Sequence, residues 1–100
     1  MTVLVRRRKV MVRYGHADGR ATGLVIAEVG NAQVTRHSKV AVSITELAQP
    51  PGQPLDYPFI GDARMTIENV APLDNGIIFV RLTINWSSDL PFRLSFLIAP

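Results

Sequence analysis

The sequence predicts an all-β protein, folded as one two-layer antiparallel β-sandwich of about six to eight short strands with an immunoglobulin-like or jelly-roll-like Greek key. Valine, isoleucine and threonine, which pack well on a pleated sheet, make up 25 of the 100 residues. Apolar residues alternate with polar ones between turn signals, and no window has sustained helical spacing. A hydrophobic content of 47% with a net charge of +3 favours a folded chain. The length predicts one domain over residues 1–100.

The first half of the chain predicts strands separated by a basic run and a glycine-containing loop. The alternation of apolar residues changes parity across residues 6–9, which predicts a bulge or a strand break there. The segment 15–19 contains two glycines, a histidine and an aspartate, and it predicts a hairpin loop. Residues 22–29 and 40–45 predict two further strands.

The second half predicts a proline-rich connection followed by a three-stranded meander. Residues 49–61 hold four of the seven prolines, and because proline has no amide hydrogen for a sheet, we expect a crossover loop between the two layers. The meander strands are expected at residues 63–67, 77–86 and 92–98, with turns at residues 72–76 and 87–91.

Several function classes find no support in the residues. The chain has no cysteine, which excludes a disulfide framework, a thiolate nucleophile and a cysteine-based zinc site. His16 and Asp18 lie two residues apart, but no nucleophile motif or metal-ligand spacing accompanies them, and a polar loop is expected there. We therefore expect no catalytic residue, no metal and no cofactor, and the chain is not predicted to be an enzyme.

The amino-terminal residues do not follow the pattern of a secretory signal, because the charges come after the apolar residues and no long apolar run succeeds them. The longest uncharged apolar run covers residues 76–80, far short of the ~18 residues expected of a membrane-spanning helix. These features predict a cytoplasmic protein without a membrane span.

Charge is distributed unevenly along the chain. Residues 1–50 contain eight Lys or Arg against three Asp or Glu, whereas residues 51–100 contain three against five. The candidate partner-binding residues of the basic region are Arg6, Arg8, Lys9 and Arg13. They would protect an exposed strand edge, contact an acidic protein surface or neutralise nucleic-acid phosphates. Edge protection is favoured and nucleic acid is the weakest of the three, since no aromatic residue interleaves with residues 6–9 to stack on bases.

A second candidate surface lies on the strand at residues 77–86, whose first half is apolar on both faces. Ile77 and Phe79 cannot point in the same direction as Ile78 and Val80. Their side chains are expected either to contact a second copy of the chain or to lie beneath the loop at residues 50–58. The homo-oligomer contact is preferred.

Polar residues at one end of the meander form a candidate ligand-binding end. Alternate turns of a meander fall at opposite ends of the sheet, so the start of its first strand is expected beside the second turn. The residues concerned are Asp62, Asn85, Trp86 and Asp89, with Asp56 as a further carboxylate. They would suit a sugar or a calcium ion, but the alternation assigns Trp86 to the core-facing side of its strand.

The sequence thus predicts a non-catalytic binding or assembly module. We expect self-association through an apolar strand face, with the basic amino-terminal strand aiding partner contact. A nucleic-acid-binding domain that uses the basic patch at residues 6–9 is the alternative. A sugar- or calcium-binding module is the third hypothesis.

Overall fold

The protein is built from β-strands alone over the part that the structure describes. The computed structural model describes residues 4–6, 9–11, 13–31, 33–54 and 56–99, with side chains from residue 14 onward. The strands are β1 (Leu4–Arg6), β2 (Lys9–Met11), β3 (Arg13–Ala21), β4 (Gly23–Gly30), β5 (Lys39–Ala48), β6 (Tyr57–Phe59), β7 (Arg64–Pro72), β8 (Ile77–Asn85) and β9 (Leu90–Ala99).

Seven of these strands form two antiparallel sheets. The four-stranded sheet has the order β3-β9-β5-β6, and the three-stranded sheet has the order β4-β8-β7. The first strand of the sandwich, β3, pairs with the last strand, β9, and the second strand, β4, pairs with β8. This nested pairing is typical of a jelly-roll-like Greek key. The predicted all-β fold with two antiparallel layers is confirmed.

The core lies between the inward faces of β8 and β9. On β8 the four even-numbered residues Ile78, Val80, Leu82 and Ile84 have no exposed surface. The β9 residues that pack against them are Phe92, Leu94, Phe96 and Ile98, all buried. Full burial of one such side chain stabilises the fold by about 1.5–3 kcal/mol. Strict alternation then forces the odd-numbered residues of β8 to the outside of the sandwich.

The predicted hairpin loop at residues 15–19 is wrong, because β3 runs through it without interruption and pairs with β9 along its whole length. Gly19 lies opposite Phe92, and a Cβ atom added at Gly19 would come within 2.9 Å of the Phe92 ring. The glycine therefore provides space for an aromatic side chain and does not form a turn. The chain changes sheet at Thr22 and Gly23 instead, where Gly23 has a φ of +77°.

The proline-rich segment and the last turn also differ from expectation. Residues 49–56 join β5 and β6 of the same sheet, and the change of layer comes at residues 60–63. Residues 57–59 form the short strand β6, although Pro58 has no amide hydrogen, because β6 lies at a sheet edge. Residues 86–89 cross from β8 to β9 in the opposite sheet, so only β7 and β8 form the expected hairpin.

The strand break predicted at residues 6–9 is confirmed. Strand β1 ends at Arg6, β2 begins at Lys9, and the two strands pair antiparallel with each other. Arg8 lies outside the described residues, as do the side chains of Arg6, Lys9 and Arg13. Their predicted role in partner contact therefore stays a prediction.

Candidate association surface

The outward side of the three-stranded sheet carries an exposed apolar patch. We call Leu24, Ile26, Ile77 and Phe79 the outer apolar face. Leu24 and Ile26 are 66% and 64% exposed, and Ile77 and Phe79 are half-buried. Ile26 and Phe79 line the same shallow depression of about 300 Å³. An apolar patch of this kind on a sheet is typical of a contact surface.

Charged residues of both signs lie within this face. Arg81 lies opposite Ile26 in the sheet, and its Nε is 3.5 Å from Glu68 Oε1. The other Glu68 oxygen accepts a hydrogen bond of 2.8 Å from the Thr83 hydroxyl. Glu28 lies opposite Phe79, two residues after Ile26 on the same strand. Arg81 lines the same depression as Ile26 and Phe79, so the face combines apolar side chains with one positive and one negative group among them.

The predicted outward position of Ile77 and Phe79 is confirmed, but the sequence interpretation missed Leu24 and Ile26. The signal was present, since residues 24–27 are apolar on both faces in the same way as residues 77–80. The alternative cover, the loop at residues 50–58, belongs to the other sheet. Asp56 in this loop accepts a hydrogen bond of 3.0 Å from Arg93, on the outward side of the four-stranded sheet.

The outward side of the four-stranded sheet is occupied by an ion-pair cluster. Arg93 donates to both carboxylate oxygens of Asp18, at 2.8 and 3.0 Å, and it also bonds Asp56. The hydrogen bond from Arg93 lowers the pKa of Asp18 below its usual range, and His16 Nδ1 lies 3.6 Å from the same carboxylate. Asp18 is thus held ionised and bound to a cation, which leaves it unsuited to proton transfer. The cluster fastens the loop that contains Asp56 to the sheet.

A groove of about 550 Å³ lies beside this cluster, lined by exposed Tyr14 and Leu97 and by His16 and Arg93. Arg93 already bonds two carboxylates, so its charge is neutralised within the protein. The described part of the groove therefore lacks the excess positive charge that binding to nucleic-acid phosphates requires.

A third feature, which we call the end cleft, lies at the end of the sandwich and has a volume of about 370 Å³. Its lining residues are Glu46, Phe59, Ile60, Gly61, Asp62, Ala63, Trp86 and Leu90. The structure thus brings together Asp62 and Trp86, as predicted, whereas Asn85 and Asp89 are not among the lining residues. The expected core position of Trp86 is wrong, since its side chain is 45% exposed. Strand β8 ends at Asn85, and the alternation stops with it.

Comparison with known proteins assigns this chain to no family. No family model, no curated protein and no solved structure matches it.

The described residues contain neither a candidate metal cluster nor a candidate membrane-spanning helix. No group of three or more His, Asp or Glu residues within the described ranges is arranged to hold a metal ion. Asp56 bonds Arg93 and so does not join the carboxylates of the end cleft. No helix in the described part of the chain is long and apolar enough to cross a membrane.

Glu46 is a half-buried carboxylate of the end cleft. Its Oε1 atom is buried and has no hydrogen-bond partner among the described residues. Burial raises the pKa of Glu46 above its usual range, and the negative charge of Asp62 raises it further. Between the usual glutamate pKa and this raised value the folded state binds the proton more tightly, so stability falls as the pH rises.

Replacement of Glu46 by glutamine is expected to increase the free energy of unfolding at neutral pH, because glutamine keeps the shape and cannot ionise. The gain is expected to disappear below the usual pKa of a glutamate, where Glu46 is protonated in both states. Urea denaturation from pH 3 to pH 8 measures this, with Asp89→Asn, at an exposed carboxylate, as the control. Equal stability of Glu46→Gln and the unaltered chain at neutral pH would contradict the raised pKa of Glu46.

Proposed function

We propose that this chain is a non-catalytic binding and assembly module that self-associates through the outer apolar face. The observation that carries the proposal is the exposure of Leu24 and Ile26, each about two-thirds accessible, beside half-buried Phe79. Covering apolar surface stabilises an association by about 25 cal/mol for each Å² removed from water. Single exposed apolar residues are ordinary, but neighbouring ones on one sheet face mark a contact surface.

A second copy suits this face because its features are self-complementary. Two sheets pack face to face through apolar side chains about 10 Å apart, as the two layers of one sandwich do. In a two-fold arrangement, Arg81 of one copy approaches Glu28 of the other. Each copy carries a net charge of +3, and both sheets contain strands from both halves of the chain, so charge favours the contact only through such short-range pairs.

Replacement of Phe79 by threonine is expected to weaken self-association about tenfold, since a central aromatic residue supplies a large share of interface energy. Threonine is β-branched and favours a strand, so the fold is retained. Sedimentation equilibrium of the variant across the micromolar range measures the change.

The matched control is Phe59→Thr, the same substitution at a 39%-exposed phenylalanine of the end cleft. Its dissociation constant is expected to equal that of the unaltered chain. Equal dissociation constants for Phe79→Thr and the unaltered chain, with the variant shown to be folded by its thermal unfolding, would overturn the proposal.

A further inference from the structure

The edge strands of the two sheets differ in how they are protected against pairing with another strand. Strand β6 has only three residues and contains Pro58, and β7 has an irregularity between Ile67 and Asn69 and ends in Pro72. Strand β3 presents alternating polar side chains, His16, Asp18 and Arg20. Short length, proline, bulges and charges are the usual means by which a sheet edge avoids pairing.

Strand β4 has only one of these protections, the charge of Glu28. Its eight residues contain no proline and no positive charge, and the register with β8 runs without a bulge from Gly23 to Gly30. Within the described residues, no strand pairs with its other edge. Every second N–H and C=O group of β4 is directed toward that edge, and the exposed side chains on this strand are Leu24, Ile26 and Glu28. The edge is therefore a regular template for an added strand, with a single charge near one end.

We propose that the free edge of β4 pairs antiparallel with β4 of a second copy, so that two three-stranded sheets become one continuous six-stranded sheet. Directly opposed residues must lie on the same face of such a sheet, which restricts the two-fold axis to a residue position. With the axis at Ile26, Ile26 lies opposite Ile26 of the partner, and Leu24 lies opposite Glu28. On the inward face of the sheet, Val25 of one copy lies opposite Ala27 of the other.

Repulsion between the Glu28 residues of the two copies favours this register over those with the axis one residue away. Glu28 is the single charged residue of β4. With the axis at Ile26, the two Glu28 residues lie four positions apart along the strands, about 14 Å, beyond the ~8 Å screening length of physiological salt. An axis at Ala27 would bring them to about 8 Å on the same face of the sheet. An axis at Val25 would pair only the strand residues 23–27.

This contact is separate from the face-to-face contact under the proposed function. Phe79 lies on the central strand β8 and not on the edge strand β4. Edge pairing leaves the outer apolar face uncovered and joins the faces of two copies into one larger apolar surface. A chain that uses both contacts assembles beyond a dimer.

Single cysteines test the pairing, because the unaltered chain contains none. Opposed residues of an antiparallel pair have Cα atoms about 4.5–5.5 Å apart, within the range that a disulfide spans. Ile26→Cys is expected to convert to a disulfide-linked dimer under mild oxidation. Leu24→Cys and Glu28→Cys are each expected to stay monomeric on a non-reducing gel, since each lies about 14 Å from its own copy. An equimolar mixture of these two is expected to give the mixed disulfide.

The outcomes of these cross-linking experiments distinguish edge pairing through β4 from face-to-face contact through the outer apolar face. Cross-linking of Ile26→Cys that persists in the Phe79→Thr background supports edge pairing even if the face-to-face contact is absent. Failure of Ile26→Cys to cross-link, with the chain still associating through Phe79, overturns edge pairing and leaves the proposed function intact. Cross-linking of Leu24→Cys alone as readily as Ile26→Cys overturns the register.

Discussion

Replacement of Leu82 by alanine is expected to lower the free energy of unfolding by about 3–4 kcal/mol. Leu82 lies in the middle of β8 with no exposed surface, between inward residues of both sheets. The substitution removes buried apolar contacts and leaves a cavity that paired strands on both sides of β8 cannot close. Urea denaturation at one fixed protein concentration measures the loss.

The control for this prediction is Leu97→Ala, the same chemical change on the outward side of β9. Leu97 is 45% exposed, so its truncation leaves no sealed cavity and is expected to cost less than about 1 kcal/mol. Similar losses at Leu82 and Leu97 would contradict the position of the core between β8 and β9.

Replacement of Gly19 by valine is expected to cost about 2–3 kcal/mol, although valine favours strands over glycine. The added Cβ atom would lie 2.9 Å from the Phe92 ring, and Phe92 is 6% exposed and has little room to move. Steric overlap in a packed core therefore outweighs the higher strand propensity. Thermal unfolding of Gly19→Val shows whether stability falls, and denaturant unfolding measures the change in the free energy of unfolding.

A second substitution identifies the cause of this loss. In a Phe92→Leu background the ring is absent, and Gly19→Val is expected to cost at least about 1 kcal/mol less than in the unaltered chain. Strictly additive effects of the two substitutions would show that the ring is not what excludes a side chain at Gly19.

The residues of β8 and β9 were predictable because their pattern is local and strong. Every second residue of β8 from Ile78 to Ile84 is apolar, and all four proved fully buried. The same alternation placed Ile77 and Phe79 outside. It failed at Trp86, whose backbone N–H donates to the carbonyl of Ile84 after the strand has ended. Alternation of apolar residues predicts which face a side chain lies on only while the strand continues.

Strand β3 was not predictable from its own residues. Two glycines within five residues are typical of a turn, and the reason for Gly19 is an aromatic side chain more than seventy positions away. The environment of Glu46 likewise depends on a distant segment, since Asp62 and Gly61 arrive through the connection between β6 and β7. Contacts between remote segments leave no local signal.

The measurement that tests the central claim most directly is the mass of the unaltered chain in solution. Sedimentation equilibrium from 1 to 100 µM at physiological salt is expected to give a dimer or a larger assembly with mass rising with concentration, since exposed Leu24 and Ile26 are covered on association. A monomer mass throughout this range would contradict the account.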